Sequence, residues 1–283
     1  MINITPFFDP ATFSYSYVVA DATNRAAIID PVLDFDPVAV RATTSSAERI
    51  AVHVEQSGLT VDWILESHVH ADHLSASQHL RSRVGGRIAI SAHVDQVQNI
   101  FADVFHVEAE FARDGSQFDQ LLREGDALPL GDATINVMET PGHTPACVTF
   151  LVNGSAFVGD TLFMPDYGSA RTDFPGGDAH RLYQSIRRIL ALPGSTKLYM
   201  CHDYGTDARS TFACETTVDE QNNCNVHVNR NVSEPEFVTS REARDAGLAA
   251  PRLLYPAVQF NMRAGRFPPP ESNGRVYLKL PLQ

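Results

Sequence analysis

Short apolar runs punctuated by turn residues dominate the first half of the chain. "FSYSYVVAD" (13–21) and "RAAIIDPV" (25–32) flank the turn residues "DATNR", which predicts two strands in a hairpin-like opening. Residues 36–58, "DPVAVRATTSSAERIAVHVEQSG", predict a helix stopped by Gly58. "TVDWILESH" (60–68) predicts a buried strand, and "ADHLSASQHLRSRVGG" (71–86) a helix ended by Gly85 and Gly86. "RIAISAH" is a further short strand, and residues 94–120 predict an amphipathic helix with a mobile loop. "DALPLGDATINVMETPGH" predicts two short strands running into a turn that presents His143. "CVTFLVNGSAFVGD" predicts a hairpin turning at Asn153-Gly154 and ending at Asp160. "DAHRLYQSIRRILALPG" reads as a helix with Asp178 as N-cap and Gly194 past its end. "TKLYMCHD" predicts a strand ending at His202, and after Tyr204 the periodicity weakens into a proline-rich surface segment, "RFPPPESNG".

This mixture of strands and helices predicts an α/β fold. Its 283 residues are treated as a single domain, 1–283, with a less regular C-terminal extension from about 206. A hydrophobic content of 43% supports a sizeable core. The net charge of −12 argues against a nucleic-acid partner. No apolar run is long enough to span a bilayer, and "MINITPFFDP" lacks a basic n-region, so a cytoplasmic location is expected. Cys147, Cys201, Cys214 and Cys224 show no CxxC spacing and are expected to be reduced thiols.

The candidate chemistry sits where strands end. His68, His143, Asp160 and His202 each follow a β-type run, so they can converge at one edge of a sheet. "HVHADH" adds His70, Asp72 and His73 beside His68. Imidazoles and carboxylates together suit zinc, iron or manganese. The other histidines (His53, His79, His93, His106, His180 and His227) fall outside this pattern and are taken as ordinary surface or core residues.

"HVHADH", "PGHTP" at 141–145, "GD" at 159–160 and "HD" at 202–203 resemble the metallo-β-lactamase superfamily over most of the chain to about residue 205. That resemblance implies an αββα sandwich with metals at the edge between two sheets. It implies that His68, His70 and His143 serve one metal site, Asp72, His73 and His202 another, and that Asp160 bridges. All seven positions are filled, so one metal and two both remain open.

"RTDF" at 171–174, "HDYG" at 202–205 and "PAVQFNMRAG" at 256–265 resemble the persulfide dioxygenases within that superfamily. This implies one Fe(II) per chain held by His68, His143 and Asp160, with His70, Asp72, His73 and His202 around it. It also implies that Tyr204 points a hydroxyl at the substrate and that Arg171 fixes its loop or an anionic substrate group. The expected partners are a thiol persulfide, glutathione persulfide foremost, and O₂; a homodimer is compatible with this reading. The alternative is a dinuclear zinc, glyoxalase II-like thioester hydrolase, with one or two Zn(II) per chain. The "FMPDYGSAR" loop and residues 94–120 are longer than in the related human protein, which leaves the thiol carrier open.

Overall fold

The computed structural model describes residues 2–282. Along the chain run β1 (Asn3–Asp9), β2 (Ser14–Ala20), β3 (Arg25–Ile29), β4 (Val32–Asp36), β5 (Arg41–Thr43), α1 (Ser45–Gln56), β6 (Thr60–Leu65), β7 (Leu74–Ser75), α2 (Ser77–Val84), β8 (Arg87–Ser91) and α3 (Val94–Phe105). Then come β9 (Gln120–Leu122), β10 (Ala127–Leu130), β11 (Ala133–Glu139), β12 (Val148–Val152), β13 (Ser155–Phe157), α4 (Ala179–Leu190), β14 (Lys197–Tyr199), β15 (Glu215–Thr217), α5 (Val218–Cys224), α6 (Glu234–Asp245) and α7 (Leu254–Asn261).

Two six-stranded sheets, ordered β1-β2-β3-β6-β8-β9 and β10-β11-β12-β13-β14-β15, form the centre. Because side chains alternate along a strand, each sheet feeds two cores. In β3, Ala26 and Ile28 point to α1, α2, α3 and α7, while Ala27 and Ile29 meet the second sheet. In β13 and β14, Phe157 and Tyr199 face the first sheet, and Ala156 and Leu198 pack under α4, α5 and α6. Three apolar layers between four structural layers give the αββα sandwich, as expected.

The Asn153-Gly154 hairpin is present, with both residues at positive φ (45° and 77°), and Asp178 caps α4 by accepting from the Arg181 N–H at 2.9 Å. Three expectations need correction. The helix expected over 36–58 begins only at Ser45; before it, β4 pairs with β5 across a turn in which the Asp36 carboxylate accepts the N–H groups of Val38 and Ala39. The helix expected over 71–86 begins at Ser77, because Leu74 and Ser75 pair with β4. The helix and loop expected over 94–120 are both present: α3 stops at left-handed His106, and the loop runs on to β9 at Gln120. The segment from 206 is more regular than expected and carries β15 and three helices. Of these, α6 opens with a Ser233–Glu236 capping box, and α7 is buried from Ala257 to Asn261. A helix buried all round has no polar face, which removes the periodicity that would announce it.

No helix among the described residues is long and apolar enough to cross a membrane.

Candidate metal centre

Parallel strands end at the same edge, and that places the cluster. β3 and β6 run parallel, so Asp30 and His68 follow their ends side by side; β13 and β14 do the same for Asp160 and His202. His143 arrives on the turn after β11. Gly142 allows that turn: its φ is 143°, and a Cβ there would run into the backbone of Leu182 on α4. Gly159 holds φ 52° beside Ser67, bringing Asp160 inward.

The side chains form two adjoining groups. Ligand-type atoms of His68, His143 and Asp160 lie within 4.8 Å of one another, and so do those of His70, Asp72, His73 and His202. Asp160 spans both: its Oδ2 is 3.8 Å from His68 Nε2 and 3.6 Å from His143 Nε2, and its Oδ1 is 3.4 Å from His202 Nε2. Asp72 Oδ2 lies 3.0 Å from His202 Nε2. The four "HVHADH" ligand candidates thus divide, His68 to the first group and the rest to the second.

The far side of each ring is held. His143 Nδ1 donates to the carbonyl of Arg171 at 2.8 Å, and His68 Nδ1 sits 3.0 Å from Ser67 Oγ. His73 and His202 share Ser14 Oγ, each at 3.3 Å, and His70 Nε2 meets Asp30 Oδ1 at 3.0 Å. The inward atoms are not: His68 Nε2, His70 Nδ1, His73 Nε2 and Asp160 Oδ1 are buried without a hydrogen-bond partner, and Asp72 Oδ2 and His202 Nε2 face each other at 3.0 Å without a well-directed hydrogen bond. Buried polar atoms are rarely left so. Imidazoles and carboxylates anchored outside and unsatisfied inside fit a metal ion.

Electrostatics agree. Burial, then the neighbouring His70 and His143, holds His68 well below the ordinary imidazole value and leaves it neutral. Burial opposes protonation of His70, but the Asp30 carboxylate outweighs it and lifts that ring well above its usual value. Asp72 is held well below the carboxylate range despite burial, chiefly by His202. His202 is pushed up to about 9, with Asp72 and Asp160 overcoming burial. These carboxylates draw positive charge inward, which a metal cation would satisfy as well as protons do.

A cavity of about 530 Å³ opens onto the centre, touching His143 and Asp160 of the first group and Asp72 of the second. Tyr204 forms part of its wall, 36% exposed, with its ring stacked on His202 at 5.4 Å between centroids. Arg171 also reaches it, but its guanidinium is committed: Nε and Nη2 donate to Asp173 at 2.6 Å, and Nη1 to the carbonyl of Ala249. The lining also includes Arg241, Arg244 and Arg252, which the sequence reading overlooked. Arg241 is buried and bound to Asp245, whereas Arg244 and Arg252 are exposed and form no ion pair among the described residues. Their signal was the one-turn spacing of 241 and 244 on α6, visible only once the tail is read as helical. Ser14, Asp30 and Glu66, whose Oε2 lies 3.5 Å from His70 Nε2, were overlooked as well; Asp30 follows the same strand-end rule as the four residues that were found.

The family model for the metallo-beta-lactamase superfamily matches residues 9–202. A probable metallo-hydrolase of Burkholderia pseudomallei is 52% identical over 99% of both chains. The Dictyostelium discoideum protein named Glyoxylase B2 is 42% identical, over 99% of this chain and 96% of its own. The mitochondrial persulfide dioxygenase ETHE1 of Bos taurus is 32% identical, over 95% of this chain and 91% of its own. Relatives from Xylella fastidiosa and Agrobacterium fabrum, named beta-lactamase hydrolase-like protein, are longer, and the chain spans 64% of their length. Among solved structures, ETHE1 from Myxococcus xanthus superposes with a TM-score of 0.74 at 29% identity, covering 93% of this chain and all of that one.

Proposed function

Because the chain belongs to the metallo-β-lactamase superfamily, we propose that it is an iron-dependent persulfide dioxygenase. In this reaction a thiol persulfide, O₂ and water give the free thiol, sulfite and two protons. The terminal sulfur is oxidised, O₂ is reduced, and the sulfur–sulfur bond breaks with its electron pair passing to the thiol. The observation that carries the reading is the first group: two histidines and one carboxylate, His68, His143 and Asp160, of which His143 and Asp160 face an open cavity. A 2-His-1-carboxylate set leaves positions free for substrate and O₂ on one ion. Ferrous iron held there would supply the redox chemistry that no side chain offers.

The residues of the chain divide the remaining work. Ser67 and the Arg171 carbonyl orient His68 and His143. His70, Asp72, His73 and His202 surround the centre and fix its electrostatics. Burial, then Asp72 and Asp160, keeps the Tyr204 phenol well above its ordinary value, so its hydroxyl stays protonated and can donate to a substrate. Arg171, tied to Asp173, braces its loop, and Arg244 and Arg252 offer unpaired charge to a carboxylate-bearing carrier such as glutathione persulfide. Iron-loaded protein is expected to consume O₂ with glutathione persulfide and release sulfite; no uptake by fully loaded protein would overturn the reading.

A second reading has its own support. Asp72, His73 and His202 also converge, with His70 beside them rather than with His68 and His143, and Asp160 reaches both groups, which suits a second ion and a dinuclear zinc thioester hydrolase. The relative named Glyoxylase B2 is also more similar than the persulfide dioxygenases. Two zincs per chain with thioester cleavage and no O₂ uptake would decide for it.

A further inference from the structure

The loop that carries His70, Asp72 and His73 is neither helix nor strand, so its backbone groups lack regular partners. It is also buried, where unpaired carbonyls are costly. One side chain from the far end of the chain meets this need. Asn261 Nδ2 donates to the carbonyls of His70 and His73, both at 2.8 Å, and its Oδ1 accepts the Ser75 N–H at 2.8 Å. A primary amide has two donor hydrogens and one acceptor oxygen, and here all three are used.

The clamp acts on ligand placement. His70 and His73 ring centroids are 4.1 Å apart, with Asp72 between them in sequence. Fixing both carbonyls fixes the distance between two imidazoles and the direction of the carboxylate. Asn261 is itself immobilised. It is 5% exposed and ends α7, and the residues just beyond are gripped from three sides. Gln98 of α3 donates to the Met262 carbonyl, Gln78 of α2 to the Ala264 carbonyl, and Arg263 pairs with Glu108.

We infer that Asn261 is a positioning residue of the metal centre, setting His70, Asp72 and His73 from the outer helical layer. The inference rests on a metal ion held in this centre, with His70, Asp72 and His73 either binding it or surrounding the His68, His143 and Asp160 set.

Co(II) serves as the probe. Its affinity, from competition with a chelator, and its visible ligand-field bands are compared for the full chain and for Asn261→Ala and Asn261→Asp. Asn261→Asp keeps the shape and the acceptor but removes both donors. Both variants are expected to bind Co(II) about tenfold or more weakly, with shifted bands. Gln259→Ala is the control: Gln259 lies on the same helix but holds the Lys279 backbone, and it should leave affinity and bands unchanged. Wild-type affinity and bands in either Asn261 variant would overturn the inference. If neither variant folds, amide exchange on the unmodified protein decides. Stripping the metal should speed exchange across residues 254–264 together with 68–75, but not in α5; unaltered exchange in α7 would overturn the inference. Failure of the unmodified chain to bind Co(II) would instead overturn the metal assignment itself.

Discussion

Asp160 Oδ1 stands 3.4 Å from His202 Nε2, while the other oxygen of the same carboxylate faces His68 and His143. One side chain therefore joins two sets of ligands, and the number of metals depends on whether both of its oxygens are used. For a mononuclear oxygenase, elemental analysis should find about one iron per chain. His202→Gln should preserve that stoichiometry, whereas Asp160→Ala should abolish iron binding. A drop from two metals to one in His202→Gln would favour the dinuclear hydrolase.

Tyr204 stacks on His202 and lines the cavity, so its ring and its hydroxyl can be separated by substitution. Tyr204→Phe keeps the stack. We expect kcat for persulfide oxidation to fall about tenfold or more, the worth of one hydrogen bond in the transition state, with KM little changed. Steady-state O₂ uptake checks this; an unaltered kcat would leave the ring with a packing role alone.

Arg244 and Arg252 are exposed cations in a protein of net charge −12. The double variant Arg244→Gln/Arg252→Gln should raise KM for glutathione persulfide about tenfold without lowering kcat. Added salt should do the same to the unmodified enzyme and little to the variant. A persulfide without carboxylates should not distinguish the two proteins.

His227 accepts the Ser169 N–H at 3.1 Å, and burial, then Arg241 and Arg244, pushes it down to about 4. In the unfolded chain it titrates near the ordinary value of about 6.5. Between those values the unfolded state binds the extra proton, so the contribution of His227 to stability is lost as pH falls from about 6.5 towards 4. Melting temperature against pH should decline in that window, and less steeply in His227→Asn.

Gly142 leaves no room for a side chain against α4 and sits at φ 143°. Gly142→Ala should lower stability by more than about 1 kcal/mol, read by denaturant melts, and loosen His143 with it.

The sequence disclosed what local chemistry announces. Strand ends followed by His or Asp located His68, His143, Asp160 and His202, and Asn153-Gly154 and Asp178 declared their own turn and cap. It was mute where long-range contacts decide. "DPVAVRAT" has helical spacing, yet Asp36 folds it into a hairpin, and the same reading hid β7 inside a supposed helix. For Arg171 the sequence offered a loop brace or a substrate contact, and only the folded loop, with Asp173 beside it, favours the brace. Nor could spacing divide "HVHADH", since which ring faces which group follows from Asp30, Ser14 and Ser67, residues brought near only by sheet pairing.

Asn261 gives synthesis an order. His68, His143, Asp160 and His202 are all translated before residue 203, yet the side chain that fixes the loop at 70–73 is made only afterwards. If Asn261 sets that loop, a nascent chain can hold every candidate ligand and still lack the finished site, and secure metal capture would wait for the last stage of its production. A premature stop upstream of α7 would remove the clamp together with Ala257, Val258 and Phe260, so the loop at 70–73 and the core beneath it would lose their support at once.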